Sequence, residues 1–266
     1  MNENLPEDPQ WMAFRKALER AIGVPLGQYK EPQMKRRLAS VMARRGIDNW
    51  PNFERAIMAD RKLLEDVRDT LTINVSEFWR QPERFVDLQQ NWLPRLLAER
   101  KTLKIWSAGC SIGCEPYSLA MILTELDPRG AHTILATDVD MPILSRARSG
   151  TGYLPTEVRS VPQEIAKKYL AEEPGGTFKV SEDLKRRITF RRQDLLSDPY
   201  PRDLDLILCR NVVIYFTDVA KAHIYDGFAK ALRPGGLLFI GGSEMIMRSG
   251  DLGFKTAGTS LYQRAA

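Results

Sequence analysis

The sequence predicts an α/β fold in which a doubly wound parallel sheet follows an all-helical N-terminal domain. Residues 10 to 75 carry apolar side chains at helical spacing and few strand patterns. From about residue 103 onward, short apolar strands alternate with helices, the pattern of a parallel sheet with helical connections. Between about 152 and 187 this alternation stops. A Pro-Gly-Gly turn flanked by short strand-like pieces there predicts a small inserted β subdomain.

The N-terminal domain, which we place at residues 1–75, is predicted to contain four helices. The first and second show apolar faces, and the second is expected to end at Gly46. The segments "DNWPNFERAIMAD" and "KLLEDVRDTLTI" predict the third and fourth helices, and a linker with a connecting helix follows at 76–102. The apolar positions of the first two helices are Trp11, Phe14, Leu18, Ile22, Met34, Leu38, Val41 and Met42.

Five strands are predicted in residues 103–266, in the segments "LKIWSA", "TILATDVD", "ITFRRQDLL", "LDLILCRN" and "LLFIGGS". The fourth is almost wholly apolar, as a parallel strand buried on both faces should be. The helix before the fifth strand has Thr217 as its expected cap and Gly235 as its expected stop. The final segment, "FKTAGTSLYQR", predicts a closing hairpin.

Composition excludes several classes of protein. The net charge of +5, from 39 basic and 34 acidic side chains, is too small to indicate a nucleic-acid-binding protein. No apolar run approaches the roughly 18 residues of a membrane span, and the N-terminus lacks the pattern of a signal peptide. Three cysteines in 266 residues favour a reducing compartment, so we expect a cytoplasmic protein. We expect Cys110 and Cys114 to pack as small apolar side chains and not to bind a metal.

The loop "KIWSAGCSIGCEPYSLA" follows the first strand, where a nucleotide binds in doubly wound sheets. Glu115 begins the next helix, and a carboxylate there would repel a pyrophosphate. A cationic ligand without phosphate, such as S-adenosylmethionine (SAM), fits better. Asp138, at the end of the second strand, is placed to accept ribose hydroxyls, although NAD enzymes share such an acid. Asp194, after the third strand, is placed to contact an adenine amino group.

Five motifs together resemble the chemotaxis receptor glutamate O-methyltransferase (CheR) family. They are "TINVSEFWRQPERF", "WSAGCSIGCEPYSLAM", "ATDVDMPILSRARSGTGY", "DLILCRNVVIYF" and "LRPGGLLFIGGSE". The resemblance implies a Rossmann-like class I methyltransferase sheet. It also implies transfer of a methyl group from SAM to glutamate carboxylates of chemoreceptors, leaving S-adenosyl-L-homocysteine. A glutamate carboxylate is already ionised at neutral pH, so this reaction needs orientation and a dry site more than a general base.

The resemblance also implies roles for individual residues. Arg80 and Tyr215 are expected at the reacting centre, where Arg80 would bind either the substrate's or the cofactor's carboxylate. Three positions depart from the family pattern: Gly242 stands where a histidine is usual, Ser76 where a threonine is common and Trp79 where a phenylalanine is common. The residues expected to bind the cofactor are Asn74, Ser76, Arg80, Ala108, Gly109, Glu115, Asp138, Asp194, Leu195, Asn211 and Val212.

The resemblance further implies that Arg36, Arg37 and Arg44 of the second helix dock an acidic receptor helix. A solvated basic face is an equal alternative. The short Pro-Gly-Gly turn suggests that binding does not depend on a receptor C-terminal pentapeptide. We expect neither nucleic acid nor membrane insertion. Two other functions stay open: a methyltransferase of the same fold acting on a small molecule or nucleic acid, and a non-catalytic module that senses the cofactor.

Overall fold

The computed structural model describes residues 8–72 and 76–265. The chain forms two compact units. One consists of Met1–Asn74 together with Tyr215–Ala220, and the other of Val75–Ile214 together with Lys221–Ala266. No helix within the described ranges is both long and apolar enough to cross a membrane.

The helical unit contains the four predicted helices. Asp8 caps the first by accepting the Gln10 N–H at 2.9 Å, and Pro9 occupies the first turn, where a missing N–H costs nothing. The predicted apolar stripes are buried, and Phe14 stacks on Phe53 with ring centroids 5.4 Å apart. The helices are α1 (Pro9–Ile22), α2 (Glu31–Arg44), α3 (Trp50–Ala59) and α4 (Arg61–Thr72), so α2 ends two residues before Gly46.

A short segment distant in sequence belongs to this unit. Tyr215 O accepts the Lys30 N–H at 2.9 Å, and the Thr217 N–H donates to Gln28 O at 2.9 Å. Between these two bonds, the rings of Tyr29 and Phe216 lie 4.7 Å apart. Residues 28–30 therefore pair antiparallel with residues 215–217.

The second unit is built on a seven-stranded sheet of order β5-β2-β1-β6-β7-β9-β8. The first five strands in this order are parallel, and β9 and β8 form the predicted closing hairpin. The strand order reverses between β1 and β6, and in such sheets the ligand crevice opens there, at the carboxyl ends. The strands are β1 (Lys104–Ala108), β2 (Thr133–Asp138), β5 (Ile188–Arg192), β6 (Leu204–Cys209), β7 (Leu232–Ile240), β8 (Phe254–Gly258) and β9 (Leu261–Arg264).

Helices connect the strands. Before β1 come α5 (Pro82–Asp87), a π-helical turn (Leu88–Trp92) and α6 (Leu93–Glu99). Then α7 (Cys114–Leu126) and α8 (Met141–Ser149) follow β1 and β2, and α12 (Asp218–Ala231) precedes β7. Every residue of β6 is buried, which explains its apolar sequence.

The predicted start of α12 is confirmed and its predicted stop is wrong. The Thr217 hydroxyl accepts the Ala220 N–H at 3.3 Å, as an N-cap should. The helix ends at Ala231, however, and Leu232 already pairs with Leu204 of β6. Gly235 therefore lies inside β7, at φ 80°, where the register of the two strands shifts.

The inserted β subdomain is present. It comprises α9 (Pro155–Val158), α10 (Gln163–Tyr169), β3 (Leu170–Glu172), β4 (Phe178–Val180) and α11 (Glu182–Arg186). The two strands pair antiparallel around the Pro-Gly-Gly turn. The other edge of β4 is also bonded, because Tyr153 and Phe178 exchange two backbone hydrogen bonds of 2.9 and 2.7 Å.

Candidate active site

The loop after β1 is packed against the segment that follows β6. The Gly109 and Cys110 N–H groups both donate to Thr137 O, at 2.8 and 2.9 Å. Gly109 has φ 77°, and a Cβ atom there would lie 2.6 Å from Val212 Cγ2. Only glycine fits this position, and the close approach brings two predicted cofactor residues together at the strand-order reversal.

Glu115 lies in the first turn of α7, facing the same crevice. Its Oε1 accepts the Ser107 hydroxyl at 2.7 Å, and its Oε2 lies 4.0 Å from Nη1 of Arg210. Burial raises the pKa of Glu115, and the Arg210 guanidinium and the Ser107 hydrogen bond oppose that rise. A poorly solvated carboxylate at this place attracts a cationic ligand and repels a phosphate.

Asp138, the last residue of β2, joins two loops. Its Oδ2 accepts the Ser111 N–H at 2.9 Å, and its Oδ1 accepts the Asp140 N–H at 3.0 Å. Burial raises the pKa of Asp138, whereas the hydrogen bonds from Asp140 and Ser111 lower it. The carboxylate is thus held in a fixed orientation at the carboxyl end of β2.

Asp194 and Leu195 follow β5, the neighbour of β2 at the sheet edge. Asp194 is buried, and its Oδ1 accepts the Leu196 N–H at 2.9 Å while its own N–H donates to Asp198 Oδ2 at 2.8 Å. Leu195 is buried. The turn places both residues beyond the carboxyl end of the strand, where sequence reasoning located them.

The cysteines of the β1 loop are packing residues, as predicted. Cys110 and Cys114 are free thiols and are buried. Burial raises the pKa of both thiols, so neither is a ready thiolate nucleophile. Ser76 is half-buried, and its hydrogen bond to Cys114 opposes the rise in the thiol's pKa.

Glu244 is a site residue that sequence reasoning missed. Its Oε2 accepts the Asn211 N–H at 3.0 Å and also the N–H of Gly241, so it ties the ends of β6 and β7 together. Burial raises the pKa of Glu244, and these backbone donors lower it. Among the residues that the structure describes, neither Glu244 Oε1 nor Asn211 Oδ1, both buried, finds a hydrogen-bond partner.

Arg210 is the second residue missed, although a charged residue directly after a fully buried strand was an available signal. Its side chain is buried, and its guanidinium lies 5.0 Å from the Phe85 ring and 4.6 Å from the Phe239 ring. Arg80 lies close enough to lower the pKa of both Glu115 and Arg210. Arg80, Glu115 and Arg210 therefore form one cluster of charges.

The structure leaves two of the predicted site residues untested. Tyr215 belongs to the helical unit, where the Arg37 guanidinium lies 5.0 Å from its ring centroid. Its place at the reacting centre stays a prediction. Asn74 lies outside the described residues.

The three arginines expected to dock a receptor differ in their surroundings. Arg37 is half-buried, because it lies over Tyr215 and donates to Leu71 O at 3.4 Å. Arg36 is exposed, and the Arg44 side chain is 58% exposed, 3.6 Å from Asp66 Oδ2. The outward-facing charge of α2 is therefore Arg36 and Arg44.

Two surface clefts flank the sheet, one at the amino ends of β2 and β5 and one at the carboxyl end of β5. One, of about 610 Å³, is lined by Arg129, His132, Arg187 and their neighbours, near the amino ends of β2 and β5. The other, of about 450 Å³, lies beside Arg192 and Tyr200. Neither includes a residue predicted from the sequence to act in the site.

Comparison with known proteins identifies the family. The family model described as "CheR methyltransferase, SAM binding domain" matches residues 74–262, and "CheR methyltransferase, all-alpha domain" matches residues 9–72. The chain belongs to the CheR methyltransferase family. This CheR-family chain is 39% identical to a chemotaxis protein methyltransferase of Listeria monocytogenes, over 96% of its own length and 97% of the relative's.

A second relative is chemotaxis protein methyltransferase 1 of Pseudomonas aeruginosa, 33% identical over 88% of this chain and 89% of the relative. A crystal structure of a putative sarcosine dimethylglycine methyltransferase from Galdieria sulphuraria aligns over 59% of this chain and 46% of that one, with 14% identity and a TM-score of 0.37. The family assignment makes this CheR-family chain a SAM-dependent methyltransferase.

The site's residues fit SAM. Two buried oxygens at its edge, Glu244 Oε1 and Asn211 Oδ1, have no partner among the described residues and can accept hydrogen bonds. SAM supplies the reaction with a methyl group on a cationic sulfonium. When SAM is bound, Glu115 and Asp138 would offer it negative charge and acceptors for its hydroxyl or amino groups.

Proposed function

We propose that this enzyme transfers the methyl group of SAM to glutamate side-chain carboxylates of chemoreceptors, giving glutamate methyl esters for chemotactic adaptation. The observation that carries the proposal is the charge cluster, in which Arg80 lies near Glu115. Glu115 suits the cationic donor, and Arg80 can orient an anionic acceptor beside it.

The histidines of the chain support a carboxylate acceptor. There are two of them, His132 and His223. His132 precedes β2, at its amino end, and His223 is exposed within α12. Neither lies at the carboxyl ends of β1 and β6 to deprotonate an amine or hydroxyl. A carboxylate acceptor needs no such base, because it is already ionised at neutral pH.

The test is transfer of tritiated methyl from SAM to chemoreceptor membranes, followed by mild alkali. We expect the label to be released as methanol, because carboxyl esters hydrolyse in base. Label that survives alkali, or that appears in nucleic acid or a small molecule, would replace this proposal by another methyltransferase activity. SAM binding with no transfer to any acceptor would instead favour a sensing module.

Replacement of Arg80 tests its assigned role. We expect Arg80→Ala to lower methyl transfer at least about 100-fold, because the acceptor is no longer oriented. The fold should be unchanged, as measured by circular dichroism and thermal unfolding. Arg84→Ala, an arginine one turn away on α5, is the matched control and should keep most of the activity. Wild-type turnover in Arg80→Ala would remove Arg80 from the mechanism.

We propose the cytoplasmic helices of chemoreceptors as the docking partners and the exposed face of α2 as the surface that contacts them. Arg36 and Arg44 supply outward-facing positive charge, which complements an acidic helix. Arg37 contributes less to docking, because its guanidinium already lies over Tyr215.

We also propose that docking does not require a receptor C-terminal pentapeptide. Strand addition needs an open and sufficiently long sheet edge. Here β3 and β4 are three residues each, and β4 is already bonded to Tyr153 on its other side. Titration of a receptor-tail peptide in a calorimeter should give no saturable heat. Saturable heat would show that the subdomain does bind the tail.

A further inference from the structure

The turn that carries Arg80 has an unusual backbone. Trp79 and Gln81, on either side of Arg80, have φ values of 52° and 60°. This left-handed region is sparsely populated by residues other than glycine, asparagine and aspartate, and it is least expected for a bulky tryptophan. Such a conformation persists only where its surroundings hold it in place.

Arg210 contacts this turn directly. Its Nη2 donates to the Arg80 carbonyl oxygen at 2.7 Å and to Gln81 Oε1 at 2.9 Å. The guanidinium lies over the rings of both Phe85 and Phe239, and the residue is only 7% exposed. Because Arg210 directly follows β6, these bonds anchor the Arg80 turn to the central sheet.

Gly242 leaves room for the second of these bonds. A Cβ atom at position 242 would lie 2.4 Å from Gln81 Nε2. The backbone of Gly242 is not left-handed, so the glycine is needed for space and not for its conformation. The Gln81 side chain therefore occupies the volume that a larger residue at position 242 would fill.

We propose that Arg210 is a positioning residue for Arg80, acting through the Arg80 carbonyl and the Gln81 amide, and that Gly242 is its spatial complement. The inference rests on the proposed role of Arg80 at the reacting centre. Arg210 touches no reacting atom in this scheme. It sets the direction in which the Arg80 side chain leaves the turn.

The principal test is a double-mutant cycle between positions 210 and 80. Lysine keeps the charge of Arg210, but it lacks the planar fork that reaches both acceptors. We expect Arg210→Lys to lower kcat about 100-fold, because a small misplacement of a catalytic group has an effect of that size. The Kd for SAM, measured by calorimetry, should change less than about threefold. In an Arg80→Lys background, the same substitution should lower the residual kcat less than about threefold.

Equal losses in the two backgrounds would overturn the proposal, because Arg210 would then act independently of Arg80. Arg233→Lys is the control for a general loss of stability. Arg233 is another poorly exposed arginine, and it bonds Asp205 and Glu99. This control should lower the melting temperature while leaving kcat within about twofold in either background.

A second pair of variants keeps the proposal testable if Arg210→Lys does not fold. Gly242→Ala should lower kcat about tenfold by displacing the Gln81 side chain, whereas Gln81→Gly/Gly242→Ala should be no slower than Gln81→Gly alone. If the losses of kcat in the two single variants multiply in the double variant, the spatial pairing of Gln81 and Gly242 is contradicted. Both cycles are measured with whichever acceptor the wild-type enzyme methylates. A base-stable methylated product would refute the proposal that glutamate is the acceptor. The positioning role of Arg210 would still be decided by whether the effects of the substitutions at positions 210 and 80 are coupled.

Discussion

At the scale of single residues, the site depends on buried charge. Burial raises the pKa values of Glu115, Asp138 and Glu244. Each carboxylate is held by a donor from a neighbouring element: the Ser107 hydroxyl, the Ser111 N–H and the Asn211 N–H, respectively. Where these acids are ionised, their negative charge in a poorly solvated crevice would favour a cationic ligand.

Replacement of Glu115 tests the contribution of its charge to SAM binding. We expect Glu115→Gln to weaken SAM binding roughly 10- to 100-fold, because a charge-assisted contact is lost in a buried site. Glu125→Gln on the same helix is the matched control. Glu125 pairs with Lys168 and Tyr169, away from the β1 loop, so its replacement should leave the Kd unchanged.

The same variant has an expected pH dependence. Burial raises the pKa of Glu115. Its carboxylate is ionised above this raised pKa and protonated below it. The charged groups around it are Arg210, Arg80 and Glu244, with the buried thiols of Cys110 and Cys209 nearby. Wild-type affinity for SAM should therefore fall as the pH is lowered through the raised pKa of Glu115, and this part of the fall should be absent in Glu115→Gln. An identical pH profile in the two proteins would exclude Glu115 as the responsible group.

At the scale of elements, a buried carboxylate joins the amino ends of the central strands. Asp205 of β6 is completely buried. It accepts the Lys104 N–H of β1 at 2.8 Å and Nε of Arg233, in β7, at 2.6 Å. Three neighbouring strands thus meet at one carboxylate, at the end of the sheet opposite the site.

We expect Asp205→Asn to lower the free energy of unfolding by about 2–4 kcal/mol, because Arg233 loses its buried counter-charge. The control is Asp203→Asn, two residues earlier. Asp203 is 48% exposed and pairs with Arg100 and Lys104, and asparagine tolerates its left-handed φ of 59°. Each of these exposed pairs should be worth less than about 1 kcal/mol, so the loss should be smaller than for Asp205→Asn. Urea denaturation followed by circular dichroism measures both, and equal losses would mean that burial does not set the difference.

At the scale of the whole molecule, the net charge of +5 is small, so the proposed docking to a receptor should depend on where the charge lies. We expect Arg36→Glu/Arg44→Glu to raise the KM for receptor about tenfold at low salt and to flatten its dependence on salt. The matched control is Lys167→Glu/Arg186→Glu, which changes the charge equally on exposed side chains of the inserted subdomain. Equal effects of the two double variants would point to net charge and not to α2.

Much of the fold was predictable because it follows from local patterns. The four N-terminal helices, the parallel strands, the closing hairpin and the Thr217 cap all follow from apolar periodicity and capping chemistry within short windows. The end of α12 was not predictable in this way. Gly235 looks like a helix stop, but pairing of Leu232 with Leu204 begins β7 before that glycine is reached.

By itself, the sequence determined the fold class, the position of the β1 loop, the place of Glu115 at the start of the next helix and the family resemblance. Each of these depends on residues that are close along the chain or on motifs in a fixed order. Only the tertiary structure decided that Arg210 bonds the Arg80 turn, since 130 residues separate the two. It likewise decided that Arg37 lies over Tyr215 and that Gly242 makes room for Gln81. No local pattern encodes such contacts, because packing brings their partners together only once the sheet and helices have formed.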